Sequence, residues 1–587
     1  MTEPQERTPS ILRRIKERAL VQWSLAYLAA AWAVLEIIDF ASAQFFWSSA
    51  IPRGAAILAV AGFFLTLVVA WYHGEKGRQR VSGPELLLVA GLALAAGVAL
   101  SVFAPGPPAS GAGAPSPTAR TSGLPRVAVL PCTNQSPDAQ DPYRASGLHD
   151  EILLKLQKVS SLESIGRTSV LRYGETGRTT SEIASDLAVD YVGECTVQRS
   201  APRIRVIFQL LDARGVQVWA DDYDRDLTLA NILDIQIDIA QQVAGAIGAT
   251  VTGDELDRIT RPPTLDLTAY ELYQAGRTRW MTRWGPSMLE AIGFFEAAAA
   301  EDSTFALAHA GLAQAHMLLP IFEDRPAPQQ FAIARREATV ALAMNPDLAE
   351  AHAALGYIAF AYDWDWTEAE SELQRAIMLN PNDAETRGWY SDLLHAVGRS
   401  EEARIQAEKG MALDPLSWSA TNAALASTQW ESLEEPERLV EDFLAANPGH
   451  SPARFALSIL LLLESRYEES GSVAKELWEA YGLKQADSIM PLYRSVGDPR
   501  SRDRVARLLE LLKREVTDPD ARALTGLFHM LIDDDEGALE DARFLVDARS
   551  YHATQLRGWT PLYDQPRFLE LLDQVGLPRP DPTDLER

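Results

Sequence analysis

The chain has 587 residues, and its 54 Lys and Arg against 81 Asp and Glu give a net charge of −27. Because one hydrophobic core rarely organises more than about 250–300 residues, we expect several structural units. The negative field repels phosphate backbones and argues against nucleic-acid partners. The two cysteines are too few for a disulfide-rich scaffold or a four-cysteine metal site.

Three apolar runs, 21–38, 55–71 and 86–103, stand near the N-terminus. Each approaches the length that a bilayer's hydrocarbon core requires, so we expect a three-helix membrane anchor over 21–104. Lys and Arg number five before the first run, then one, three and one in the following connections. This bias predicts a multi-pass protein of the bacterial inner membrane, in contact with the lipid bilayer. Residues 1–20 are then cytoplasmic and the C-terminal domains periplasmic.

Two carboxylates, Glu36 and Asp39, fall late in the first apolar run. They indicate either a proton or ligand site inside the membrane or side chains at headgroup level, where a charge costs little. Residues 105–123 are rich in Pro, Gly, Ser and Ala and predict an extended linker, because they lack the apolar surface needed to fold.

Strand and helix patterns alternate after the linker and predict a small α/β domain over 124–258. The alternation of Ile204, Val206, Phe208 and Leu210 is typical of a strand with one buried face. The predicted elements, in the order βαβαβββα, are 126–130, 148–159, 162–165, 180–187 with Thr180 as N-cap, 191–198, 203–212, 216–223 and 229–251. Such an order favours a mixed sheet covered by helices.

The segments RVAVLPCTNQSPD, GLHDEILLKLQKV, LAVDYVGECTV and RIRVIFQLLDA resemble, in the same order, the TolB amino-terminal-like (FlgO-like) domain. The resemblance implies a structural or partner-binding module without an active site. Cys132 replaces an aromatic residue that the family usually carries, and Cys195 replaces a small one. Both cysteines are predicted at strand ends, where they form either a disulfide or two buried thiols.

Helical patterns alone follow from residue 265 onward, with a regular repeat. Four Asn-Pro or Asp-Pro pairs begin at Asn345, Asn380, Asp414 and Asn447, spaced 35, 34 and 33 residues apart. Ladders of small and large residues precede three of them: Ala334-Ala338-Ala341, Ala369-Leu373-Ala376 and Ala403-Ala407-Gly410, with an earlier copy at Ala291-Phe295-Ala298. This region, 265–587, resembles the tetratricopeptide (TPR) repeats, and its tail TPLYDQPRFLELLDQVGLP is expected to cap the array.

The resemblance implies a superhelix whose concave face is formed by the first helix of each pair. The register predicts these residues for the groove: Gln314, Met317, Glu350, Tyr357, Phe360, Glu385, Asp392 and His395. Mixed aromatic and acidic side chains suit a protein or peptide partner that is extended and carries apolar anchors and some positive charge. Taken singly, each residue is more typical of ordinary solvated helix surface, so the prediction concerns the groove as a whole.

Motifs for metal hydrolysis, phosphate binding and nucleophilic catalysis do not occur in the sequence. We therefore expect no catalytic residue, no cofactor and no metal. The predicted fold class is multidomain: three transmembrane helices, a small α/β domain and an all-α TPR superhelix. The predicted function is a membrane-anchored, non-enzymatic interaction scaffold with a periplasmic groove. The alternatives are a signalling or regulatory receptor acting through a separate output protein and a transporter based on Glu36 and Asp39. Partner and oligomeric state stay open.

Overall fold

A computed structural model describes residues 123–579, except 137–141, 175–176, 201, 283–284, 323–324, 429, 431, 481–488 and 516–518. Within these residues no helix has the length and apolar composition needed to cross a bilayer, which takes about 20 apolar residues. We therefore withdraw the predicted three transmembrane helices and the inner-membrane, periplasmic localisation. The runs within 21–104, Glu36, Asp39 and most of the linker lie outside the described residues.

The α/β part is built on one mixed sheet. Its strands are β1 (Arg126–Val129), β2 (Thr133–Asn134), β3 (Glu163–Ser164), β4 (Tyr191–Ser200), β5 (Arg203–Asp212) and β6 (Gln217–Asp226). The order is β3-β1-β4-β5-β6, with β2 beside the far end of β4. β1 runs parallel to β3 and β4, whereas β4, β5 and β6 form an antiparallel meander. The predicted element order is observed, apart from the added β2 and two extra short helices.

Five helices accompany this sheet. They are α1 (Pro142–Gln157), α2 (Arg167–Leu171), α3 (Thr180–Asp186), α4 (Leu229–Ala246) and α5 (Gly253–Thr260). The N-cap of α3 is Thr179, one residue before the predicted Thr180, because Thr179 and Glu182 form a reciprocal capping box. The predicted helix 229–251 ends early, since Gly248 adopts a left-handed φ of +76° and the chain then starts α5.

The rest of the described chain is helical. Its α-helices are α6 (Leu267–Trp280), α7 (Gly285–Glu301), α8 (Ala306–Phe322), α9 (Ala327–Met344), α10 (Ala349–Ile358), α11 (Trp366–Leu379), α12 (Ala384–Ala396), α13 (Ser400–Leu413), α14 (Trp418–Ser427), α15 (Glu434–Ala446), α16 (Ser451–Leu463), α17 (Tyr467–Ala480), α18 (Met490–Val496), α19 (Arg502–Glu515), α20 (Pro519–Leu531), α21 (Asp535–Asp547) and α22 (Pro566–Val575).

These helices pack as successive TPR-like pairs, beginning with α6 and α7. Each predicted Asn-Pro or Asp-Pro pair directly follows a second helix of a pair: α9, α11, α13 and α15. The ladder residues are buried, and Gly356 shows why small residues recur. A Cβ on Gly356 would lie 2.7 Å from Cγ of Leu373, so only glycine permits this approach of α10 to α11.

The end of the chain returns to an early part of the array. A 3₁₀ segment, Tyr551–Gly558, and α22 share one hydrophobic core with α8 to α12. Nε1 of Trp366 donates to the carbonyl oxygen of Gly576 (3.0 Å), and the Arg549 guanidinium donates to the carbonyl oxygen of Tyr362 (3.3 Å). The C-terminal tail therefore packs against the third and fourth helix pairs, in addition to following the last pair.

Candidate functional site

A cavity of about 1090 Å³ lies inside the helical array. Six of the eight residues predicted for the groove line it: Gln314, Glu350, Tyr357, Glu385, Asp392 and His395. Glu350 and Glu385 stand in the first turns of α10 and α12, where the helix dipole favours carboxylates. The register of first helices thus brings most of the predicted residues to one surface.

The other two predicted residues, Met317 and Phe360, lie in the hydrophobic core and do not line the cavity. On α8 the wall includes Gly311, Gln314 and Leu318. The prediction placed Met317, three residues after Gln314, in the wall. The next wall residue is instead Leu318, four residues after Gln314, and Met317 is buried in the core. Phe360 lies in a π-helical segment, Ala359–Asp363, that follows α10. The wider π turn rotates its side chain away from the wall and toward the Trp366 and Tyr551 rings.

Aromatic rings form much of the wall. The ring centroids of Tyr357 and Trp389 are 5.1 Å apart, and Tyr357 stacks on Tyr551 at 6.4 Å. A second group joins Trp418 and His450, with ring centroids 5.2 Å apart. Trp389 was not predicted, although it follows Glu385 by four residues on the same helix and so shares its face.

Asp392 is a buried carboxylate in this wall, with 9% of its surface exposed. The Tyr551 hydroxyl donates to Oδ2 of Asp392 (3.0 Å), and the Asn422 amide donates more weakly to the same oxygen (3.5 Å). Burial raises the pKa of Asp392 to about 7, and the two hydrogen bonds only partly offset it. The side chain therefore titrates near neutral pH.

Two further polar groups of the wall are incompletely satisfied. Oδ1 of Asn380 and Nδ1 of His395 are buried and have no hydrogen-bond partner in the described part of the chain. Burial, and then the charge of Arg557, lower the pKa of His395, so its imidazole is neutral at neutral pH. The wall thus offers acceptors and apolar surface without a positive charge from His395.

The α/β domain closes one side of the cavity, with Arg167, Thr168 and Leu171 in the wall. It is fixed to turns of the array that end helix pairs. The Asn382 amide donates to the carbonyl oxygens of Gln157 (3.1 Å) and Val159 (2.9 Å). This contact between domains was not predicted from the sequence, because nothing local distinguishes a turn that docks a domain.

Asp414, in the next such turn, accepts hydrogen bonds from the backbone N–H (3.1 Å) and the hydroxyl of Ser169. The backbone N–H of Gly166 donates to the carbonyl oxygen of Leu413 (2.7 Å). Burial raises the pKa of Asp414, while its donors in α2 lower it. The Asp-Pro position expected to end a helix therefore also binds the α/β domain.

Cys132 and Cys195 are joined as a disulfide, with their Cα atoms 4.4 Å apart. The bond links the chain following β1 to the middle of β4, next to the sheet's core. In the described residues no group of three or more His, Cys, Asp or Glu side chains is arranged to hold a metal ion. Neither cysteine lines the cavity.

Comparisons with known proteins give limited likenesses. No family model matches the chain. Over 200 residues the chain is 32% identical to a protein named putative adenylate cyclase 3 from Rhizobium meliloti (strain 1021), and the match covers 34% of each chain. The chain thus spans about a third of the length of that curated relative.

Two solved structures are similar at low identity. Lipoprotein GNA1162 from Neisseria meningitidis is 18% identical with a TM-score of 0.17, covering 20% of this chain and 96% of the other. Yeast Tom70 is 11% identical with a TM-score of 0.29, and the match covers 94% of this chain and 99% of Tom70. Because both TM-scores are low, we base no argument on these structures.

Proposed function

We propose that this chain is a non-enzymatic interaction protein that binds an extended segment of another protein inside its helical array. The observation that carries the proposal is the cavity of about 1090 Å³ inside the array, lined by aromatic rings and carboxylates that come largely from first helices. Its volume lies at the upper end of the about 300–1,000 Å³ typical of ligand pockets. Helical repeat arrays use such concave surfaces for polypeptides.

The wall is suited to a polypeptide with apolar side chains. Rings such as Tyr357, Trp389 and Trp418 offer large contact area, and residues of this type dominate binding energy at interfaces. The resemblance of the α/β part to TolB amino-terminal-like domains supports the same class of function, since that family is associated with partner binding. The α/β domain then serves as one rigid wall of the site.

Site-specific photocrosslinking in living cells tests this proposal. A photoreactive phenylalanine replaces Trp418 in the cavity wall, and in a matched chain it replaces the exposed Leu511 on α19. We expect crosslinked species unique to position 418, with the captured peptide identified by mass spectrometry. Identical products from both positions, or none from position 418, would contradict binding inside the array.

A second candidate function is favoured by the similarity to a putative adenylate cyclase. In this reading the chain is a regulatory protein that senses a partner and acts through a separate output protein. The purified full-length chain is then expected to form no cyclic AMP from ATP and a divalent metal ion. Deletion of the chain is expected to change cyclic-nucleotide levels in the cell; unchanged levels would argue for the scaffold alone.

A further inference from the structure

Asp392 is a buried carboxylate without a cation beside it, unlike Asp150 and Asp541. Asp150 pairs with the Arg167 guanidinium at 2.6 Å, and Asp541 pairs with that of Arg522 at 2.9 Å. Asp392 has no Lys, Arg or His within ion-pair distance among the described residues, and its neighbours are a phenol and an amide. A buried carboxylate without a cation is costly, so its retention calls for a physical reason.

The hydrogen bonds of Asp392 leave one oxygen free. Both the Tyr551 hydroxyl and the Asn422 amide donate to Oδ2. Oδ1 receives no hydrogen bond from the described residues, although the side chain lines the cavity. By contrast, Asp414 is also buried without a cation, yet both of its oxygens accept hydrogen bonds from α2. Asp392 therefore keeps one carboxylate oxygen without a hydrogen bond from the described residues, on a side chain that lines the cavity.

The surroundings of this oxygen favour a positive donor. The wall also carries Oδ1 of Asn380, a buried acceptor without a hydrogen-bond partner among the described residues. The rings of Tyr357 and Trp389 lie in the same wall, and aromatic faces attract ammonium and guanidinium groups. Four arginines line the wall. Arg167 and Arg277 are engaged with Asp150 and Glu151, Arg549 donates to the carbonyl oxygen of Tyr362, and Arg325 is exposed to solvent. Unsatisfied acceptors and aromatic faces thus occur together.

We propose that Asp392 forms the subsite for one cationic side chain, Arg or Lys, of the bound polypeptide. The proposal rests on the function proposed above and names the chemistry of its partner. Oδ1 of Asp392 accepts from the ligand's guanidinium or ammonium group, while Tyr551 and Asn422 hold Oδ2 and fix the carboxylate. Apolar side chains on either side of the cation pack against the aromatic wall.

Peptide selection on the full-length chain provides the test. A phage-displayed library of random short peptides is selected against the wild type, against Asp392→Asn, which keeps the shape and removes the charge, and against Glu401→Gln. Glu401 is an exposed acid of α13 and serves as the matched control. Enriched peptides are then synthesised with Arg and with citrulline, a neutral analogue of similar shape, and their binding is measured by calorimetry.

We expect enriched peptides with one basic residue among apolar ones, and about a tenfold or greater preference for Arg over citrulline, as for charge-assisted hydrogen bonds. Asp392→Asn should abolish this preference, whereas Glu401→Gln should keep it. Enriched peptides that bind in the cavity without preference for a basic residue would overturn the subsite and leave the proposed function standing. No enrichment on the wild type would contradict both.

Discussion

At the scale of single residues, Asp392 couples the stability of the array to pH. Its folded pKa is about 7, against an ordinary value of 3.8, because burial disfavours the charged form. The folded state therefore binds more protons than the unfolded state between these two values. Stability contributed by this group is present at low pH and is lost as pH rises from about 4 to 7.

Asp392→Asn should therefore stabilise the chain at pH 8 and have little effect near pH 4. The shift from 3.8 to about 7 corresponds to roughly 4 kcal/mol, which sets the upper scale of the gain at pH 8. Urea unfolding at both pH values measures it. Glu296→Gln, at an exposed site of α7 for which no ion pair occurs among the described residues, should leave the difference between the two pH values unchanged; an equal effect of Asp392→Asn at both would contradict the assignment.

Glycines of the array differ in the space around them. A Cβ on Gly356 would meet Leu373 at 2.7 Å, whereas Gly293 on α7 is exposed and has no neighbour within 4 Å. Gly356→Ala should destabilise by about 1–3 kcal/mol through overpacking. Gly293→Ala should stabilise by about 0.5–1 kcal/mol, because alanine favours helix. Denaturant midpoints of the two variants, moving in opposite directions, would verify the close packing of α10 on α11.

At the scale of elements, the turn after α11 fixes the α/β domain to the array. The Asn382 side chain bridges the end of α1 and strand β3, since it donates to Val159 and accepts from the N–H of Ser164 (3.3 Å). Val159 and Ser164 are buried, and Asn382 supplies hydrogen bonds to both backbone groups. The contact is therefore sensitive to loss of a single amide.

Asn382→Ala should cost about 1–3 kcal/mol, because it leaves buried backbone groups unsatisfied. Hydrogen exchange should speed up at Ser164 and its neighbours, while strands β4 and β5 keep their protection. The same substitution at Asn447, whose amide donates to the carbonyl oxygen of Phe443 in the last turn of α15, should leave exchange at Ser164 unchanged. Equal exchange at Ser164 in both variants would show that the turn does not dock the domain.

At the scale of the whole described unit, the C-terminal tail closes the array onto its earlier pairs. Leu556 and Phe568 are fully buried in a core that also contains Tyr357, Phe360 and Leu393. Tyr551 from the same tail reaches the cavity wall. The concave surface is consequently completed by residues far from it in sequence, and its shape depends on the tail remaining packed.

Leu556→Ala should cost about 2–5 kcal/mol, as expected for a large-to-small change in a core. It should also loosen the tail and increase the radius of gyration in X-ray scattering. Leu511, more than half exposed on α19, provides the matched leucine. Leu511→Ala should change stability by less than about 0.5 kcal/mol. A compact Leu556→Ala chain with unaltered stability would show that the tail does not close the array.

The sequence alone determined the elements and their repeat. Helix ends at Asn345, Asn380 and Asp414, the alternation in β5 and the ladder around Leu373 all follow from local sterics and periodicity, which need only neighbouring residues. Residues spaced along first helices share one face, which is why six of the eight residues predicted for the groove line the cavity. Phe360 was misplaced because a π turn has no clear local signal.

Tertiary structure alone decided which surfaces meet. Asp392 and Tyr551 are separated by 159 positions, and Asn382 reaches Val159 across 223. Such contacts depend on how the stacked pairs curve and where the tail returns, and a small rotation at each of many interfaces sets that curvature. No local sequence pattern encodes the sum of those rotations. The assembled fold alone therefore shows the cavity, the docking of the α/β domain and the burial of Asp392.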